Sequence, residues 1–226
     1  MTALESGFDT SHMLSFDLET TGVDPRTAKI VTSALVKIQG KNREDKELLA
    51  NPGIDIPQSA SDVHGITTEY AQQHGRPHDE VLAETIAGIR KGWEQGATLV
   101  VYNAPYDLSV LQALDPSFTV DGLVVDPLVI YKAKEPYAKG KKTLEVVSEK
   151  FGVSLDSAHE ATADAVAAAR VAWKMTRAYP DLLQMTGDDL MHAQAKWHYE
   201  AQTSLQEYFD RVGKQAQVST TWPLQL

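Results

Sequence analysis

Asp17 and Glu19 stand one residue apart in LSFDLETTG, residues 14–22, a stretch otherwise apolar enough for a buried strand. Side chains alternate between the two faces of a strand, so both carboxylates project together while Phe16 and Leu18 point the other way into the core. Two like charges this close repel and are costly to desolvate unless a cation joins them. The pair therefore reads as a cation site at the carboxyl end of a sheet strand, where open α/β folds place their ligands. Gly22 is expected to permit the sharp turn that ends the strand.

Two more acids look inward. In PYDLSVLQAL, residues 105–114, Asp107 shares a helical stripe with Val110, Leu111 and Leu114. In ADAVAAARVAWKM, residues 163–175, Asp164 aligns with Ala168, Val171 and Met175. Taken singly, either acid passes for a helix cap or boundary residue, because the helix dipole favours an anion near the N-terminus. Four acids directed at one sheet edge instead fit hard divalent cations, Mg²⁺ or Mn²⁺, which take oxygen ligands and pair about 3.5 to 4 Å apart in two-metal sites. His159 precedes Asp164 by five residues, which on a continuous helix would rotate it about 140° away. To serve the same site it must sit on the loop VSLDSAH, residues 153–159. An imidazole titrates near neutrality and can take a proton from an attacking water, the general-base role in hydrolysis. His12, His74, His78, His192 and His198 read as ordinary surface histidines.

The elements that must hold these residues are readable from periodicity. Strands are expected at residues 12–19, 28–38 and near 46–52, with a turn at QGKN, residues 39–42. Loop and short helix follow over 57–75, then an amphipathic helix over 78–96 closed by Gly96. ATLVVYN, residues 97–103, reads as a fully buried strand, and GLVVDPLVIY, residues 122–131, as another. Helices are expected over 105–114, 143–152 and 161–178. A meander followed by strand and helix in alternation implies an α/β fold, a mixed sheet with antiparallel and then parallel strands and helices on both faces. After Pro180, Leu190, Trp197, Ala201, Leu205, Tyr208 and Val212 mark one long amphipathic helix, capped by Thr186 or Asp188 and expected to pack back on the domain. The organisation expected is one domain over 12–178 and a helical extension and tail over 181–226.

Composition narrows the chemistry. The 226 residues contain no Cys, which excludes disulfides, thiolate metal sites and cysteine nucleophiles together. The opening MTALESGFDTSHM has no basic and apolar leader pattern, and no run approaches a membrane span, so a cytoplasmic protein without membrane partners is expected. A net charge of -10 argues against coating long duplex DNA, though not against gripping a strand end. The basic residues concentrate in YKAKEPYAKGKK, residues 131–142, which reads as a solvated loop, with a phosphate-tracking edge as the alternative.

Four motifs, FDLETTG, VHGIT, VYNAPYDLSVL and HEATADAVAAAR, occur in that order within residues 12–178. Together they resemble the motifs of the DEDDh, or DnaQ-like, 3′-5′ exonuclease family, which includes the proofreading epsilon subunit of bacterial DNA polymerase III. The resemblance implies an RNase H-like fold, two divalent metal ions and release of nucleoside 5′-monophosphates from a 3′ end. By position it implies Asp17, Glu19, Asp107 and Asp164 as metal ligands and His159 as general base. Leu18, Thr20, Thr21, Gly22, His64, Asn103 and Tyr106 would line the terminal-nucleotide pocket. The family often has His where Tyr102 stands and Phe where Tyr106 stands, departures that bear on substrate preference and leave the hydrolytic set complete.

The expected substrate is a single-stranded DNA 3′ end, with RNA 3′-end trimming as the alternative. Two readings of other kinds compete: an inactive interaction module docking a partner through its helical tail, and a phosphatase-type hydrolase using DLETTG, which would leave His159 idle. QTSLQEYF, residues 202–209, resembles a sliding-clamp-binding box, which makes a sliding clamp one candidate partner. With no polymerase motif in the sequence, the chain is expected to be either a freestanding exonuclease or a subunit working in trans with a DNA polymerase subunit.

Overall fold

The structure, a computed structural model, describes residues 3–155 and 158–225. A short helix, α1 (Ala3–Ser6), precedes three long strands, β1 (His12–Thr20), β2 (Ile30–Gln39) and β3 (Asn42–Asn51). Helices α2 (Gln58–His64) and α3 (Thr68–His74) lead through β4 (Arg76–Pro77) into α4 (His78–Glu94). The chain then alternates through β5 (Thr98–Val100), α5 (Ala104–Leu114), β6 (Val124–Val125), α6 (Pro127–Lys134), α7 (Leu144–Lys150) and α8 (Ala161–Ala178). A 3₁₀ turn at Pro180–Leu183 hands over to α9 (Gly187–Arg211).

The strands form a six-stranded sheet in the order β4-β3-β2-β1-β5-β6. β1, β2 and β3 are an antiparallel meander, while β5 and β6 run parallel to β1, so the sheet is mixed as expected. Asp17 lies opposite Ala34 and Glu19 opposite Thr32, after which the register shifts and Thr20 meets Ile30. β1 thus ends in an irregularity directly beside its two acids, a device that re-aims side chains at the rims of sheets.

The alternation along β1 separates two cores. Phe16, 0% exposed, and Leu18 pack with Ile86 and Ile89 of α4 on one face. Met13 packs with Val171 and Met175 of α8 on the other, the face that Asp17 and Glu19 share. Each helix approaches closely because small residues line it. A Cβ on Gly88 or Gly92 of α4 would fall 2.5 Å from Leu35 Cδ1 or 2.7 Å from Leu14 Cδ2. On α8, Ala161 and Ala165 seat against Ala34 and Val36.

Three expectations are corrected. The strand read over residues 122–131 is only Val124–Val125, and PLVIY is helical. Asp126 makes the switch: its carboxylate accepts from the N–H groups of Leu128 and Val129 while Pro127, with no N–H to lose, occupies the first turn. For the same reason the basic run begins inside α6 and becomes loop only after Lys134.

The apolar stripe of the long C-terminal helix packs down only in part. Thr186 caps α9 by accepting from Asp189 N–H, as expected, and Leu190 is buried. Farther along, Leu205, Tyr208 (50% exposed) and Val212 face solvent. At 25 residues the helix is about 37 Å long at 1.5 Å per residue, and its buried residues all fall within the first half.

The buried side chains of α9 are Leu190, Gln194 and His198, with Met191, Ala195 and Trp197 partly buried against the core, so His198, 6% exposed, is a buried histidine and not a surface one. His78 is also drawn in, its Nε2 accepting from Ile30 N–H at 3.1 Å, and His12 is half-buried; His74 and His192 are exposed as expected. Beyond α9 the tail returns to the domain, where Trp222 is 9% exposed in the core around Phe16. No described helix is long and apolar enough to cross a membrane.

Candidate active site

β1, α5 and α8 bring their acids to one end of the sheet. Leu18 N–H donates to Asp107 Oδ1 at 3.0 Å, which fastens the first turn of α5 against β1 beside Asp17. Burial, reinforced by the charges of Asp107, Asp164 and Glu19, pushes the Asp17 carboxyl well above its usual range. Burial and then Asp164 push Glu19 up to about 8. Asp107 is raised by burial against the opposing hydrogen bonds from Leu18 and its own N–H, and Asp164 by burial against the bond it accepts from His159 N–H at 3.3 Å. All four acids are thus destabilised as anions in the protein alone.

The four acids line an open cavity of about 350 Å³, whose other walls include Tyr102, Asn103, Tyr106 and Lys142. Asp164 Oδ1 is buried without any hydrogen-bond partner. Among the described residues no donor reaches the side chain of Asp17 or Glu19 either. Four carboxylates, mutual repulsion and an orphaned buried oxygen together fit a hard divalent cation.

His159 sits outside the helix, in the turn before α8, with φ 69°. The loop position anticipated for it is therefore observed, although residues 156 and 157 of that loop lie outside the described residues. Its ring is exposed, and one ring nitrogen lies with single carboxylate oxygens of Glu19 and Asp164 in a cluster no more than 4.8 Å across.

The residues expected to line a nucleotide pocket divide into two groups. Leu18, Asn103 and Tyr106 line the cavity; Thr20, Thr21, Gly22 and His64 stand outside its wall. The second group holds the end of β1 in shape. Tyr106 and Thr20 hydroxyls bond each other and the Gly22 carbonyl, and Thr21 Oγ1 accepts from Lys29 N–H at 3.0 Å. Gly22 itself has no left-handed backbone, and a side chain there would meet nothing within 4 Å, so the turn does not require glycine. His64, its pKa lowered by burial, closes α2 and accepts from Ile66 N–H through Nδ1 at 3.1 Å.

Reasoning from sequence missed Asp126. Fully buried, it accepts from Asn103 N–H (3.0 Å) and Ala104 N–H (2.9 Å), and so caps α5 in place of Asn103, whose own side chain makes no cap bond. The same carboxylate caps α6, and Trp222 Nε1 reaches it at 3.4 Å. Its backbone N–H donates to Gln194 Oε1 at 2.7 Å, which ties α9 into the same knot. Asp126-Pro127 was the available signal, since Asp before Pro is a cap pattern. Tyr102, the departure from the family pattern, donates to Lys142 carbonyl at 2.7 Å and so draws the basic loop to the cavity edge.

Comparison with known proteins agrees with this geometry. The profile of the RNase_T family, described as exonuclease, matches residues 14–172. The chain belongs to that exonuclease family. Within it, the chain is 30% identical over 166 residues to DNA polymerase III PolC-type of Listeria welshimeri, an alignment covering 72% of the chain and 11% of the relative. It is 30% identical over 176 residues to a DNA polymerase III subunit epsilon-like protein of Rhodobacter capsulatus, covering 73% and 24%. The chain therefore spans about a tenth of the PolC-type relatives and a quarter of the epsilon-like one. Among solved structures, E. coli exonuclease I in complex with a dA16 oligonucleotide superposes with a TM-score of 0.61 at 20% identity, over 77% of this chain and 42% of that one. This likeness places the exonuclease chain in the RNase H-like fold.

Proposed function

We propose that this chain is a 3′-5′ exonuclease that hydrolyses the terminal phosphodiester bond of single-stranded DNA and releases nucleoside 5′-monophosphates. The observation that carries the reading is the convergence of Asp17, Glu19, Asp107 and Asp164 on one cavity, with no lysine or arginine ion pair to any of them among the described residues. Two divalent ions, Mg²⁺ or Mn²⁺, would be held by these four acids and, when bound, would supply the Lewis acidity that polarises the scissile phosphate and stabilises the leaving oxygen.

The chain's own residues supply the rest. His159, exposed beside Glu19 and Asp164, takes the proton of the attacking water, and its position on a turn leaves the ring free to approach. Asp164 holds the backbone of that turn through His159 N–H. Leu18, Asn103 and Tyr106 form the wall against which the terminal nucleotide sits, while Thr20, Thr21, Gly22 and His64 keep the end of β1 in place. DNA as substrate is supported by the DNA polymerase III relatives and by the exonuclease I complex with dA16. The same relatives support a DNA polymerase subunit as partner; a sliding clamp is proposed on QTSLQEYF, residues 202–209, alone, and a cytoplasmic setting on the sequence pattern alone.

Digestion of 3′-labelled, matched DNA and RNA oligonucleotides with Mg²⁺ and with EDTA tests the reading. Mg²⁺-dependent shortening of DNA is expected, and His159→Ala should slow it by a factor on the order of 10² to 10⁴ with the fold intact. Faster cleavage of RNA would replace DNA by RNA trimming; no cleavage of either would leave an interaction module.

A further inference from the structure

Lys142 stands on the wall of the cavity at the acids. The same lysine walls a second groove, about 570 Å³, running between α6 and α9. Lys132 and Trp197 line this groove, with Glu200 and Ser204 farther along α9. The Lys134 ammonium lies 5.4 Å from the centre of the Trp197 ring and is paired with Asp181. Among the described residues neither Lys132 nor Lys142 has a carboxylate partner. Burial pushes the Lys132 ammonium down, the nearby charge of Lys142 adds to that, and Asp126 only partly opposes it. In a chain of net charge -10, two ammonium groups without an ion-pair partner among the described residues, beside the half-buried Trp197 indole, form a local inversion of charge. Glu200, the one acid on the wall, stands 3.9 Å from Lys196 and is partly neutralised there.

We propose that this groove carries the strand upstream of the 3′ end, its bases stacking on Trp197 and its phosphates lying along Lys132 and Lys142. The assignment rests on the exonuclease reading above and adds the route by which the substrate reaches the acids. A cationic groove combined with an aromatic platform is how single strands are held without regard to sequence, because every base has a π face and every nucleotide a phosphate. Lys142 makes the two adjacent, since it borders both the groove and the cavity. The outer wall of the groove is α9, which lies beyond residues 14–172 matched by the family profile.

Two substrates separate groove from cavity: a dinucleotide, which fills only the cavity, and a strand of about eight nucleotides, which reaches α9. Trp197→Ala and Ser204→Glu are each expected to weaken binding of the longer strand roughly tenfold, read as fluorescence anisotropy of the labelled strand in EDTA. In Mg²⁺ both should raise KM for the longer strand with kcat unchanged and leave dinucleotide hydrolysis as it was. Ser204 is exposed, so the glutamate variant keeps the fold even if the loss of Trp197 does not. Unchanged affinity in Ser204→Glu, or an equal loss on the dinucleotide, overturns the proposal. Should the wild type cleave neither substrate, the exonuclease reading fails, and the anisotropy titration still decides the groove.

Discussion

Asp126 is fully buried and the two acids of β1 are half-buried, and the chain treats these carboxylates in opposite ways. Asp126 accepts from Asn103, Ala104, Leu128 and Val129 N–H and from Trp222 Nε1. Asp17 and Glu19 accept from nothing among the described residues, and the acids nearest to them only add repulsion. Burial raises both kinds of acid, but for Asp126 four backbone hydrogen bonds oppose it. A buried acid whose lone pairs are used by its own chain is part of the scaffold. One whose lone pairs are left open is shaped for something that arrives later, and incomplete satisfaction, more than burial, distinguishes the two.

Substitution can break this contrast directly. Asp17→Asn and Asp107→Asn should each lower oligonucleotide hydrolysis on the order of 10³-fold or more, while the thermal midpoint holds or rises because a repulsive charge is gone. A variant of either that still hydrolyses would place the chemistry elsewhere. Asp126→Ala should do the reverse, costing about 3 to 5 kcal/mol in a urea titration by stranding buried N–H groups at two helix starts. Retained stability there would return Asp126 to the class of dispensable acids.

Acidity sharpens the contrast further. Glu19 has a folded value of about 8 against an ordinary 4.5, so the metal-free folded protein binds more protons than the unfolded chain between those values. Its stability should therefore fall as pH rises from about 4.5 through about 8. His64, His78 and His198, lowered by burial, act oppositely, losing stability on acidification as the unfolded chain takes up their protons first. Comparing midpoints with EDTA and with Mg²⁺ across pH 5 to 8 isolates the acids, and the EDTA midpoint should fall relative to the Mg²⁺ midpoint as pH rises; parallel curves would mean that no ion joins the carboxylates. The smallest effect expected is Tyr102→Phe, which loses the bond to the Lys142 carbonyl at a cost of about 1 kcal/mol in the same titration.

How far the letters revealed this follows from which forces act locally. Asp17 and Glu19 declared themselves through a period of two, and Asp107 and Asp164 through a period of 3.6, because burial of neighbours such as Phe16 and Val171 leaves a regular trace. VVDPLVIY is apolar apart from Asp126 and fits either period, so the Asp126-Pro127 cap had to outrank it. The stripe on α9 was legible as a pattern, but not how much of it finds a surface. Gln194 was invisible because what pulls it inside is the carbonyl of Val124, 70 residues away in sequence. Lys142 joined the cavity through a tertiary bond from Tyr102, which no periodicity encodes.

Asn103 and His159 are the two non-glycine residues with left-handed backbones among the described residues, at φ 66° and 69°, and both flank the acids. An L-residue held there forfeits roughly 1 kcal/mol that glycine would not. A selection for heat resistance alone is thus expected to return glycine at 103 or 159, and the survivors to be sturdier but sluggish.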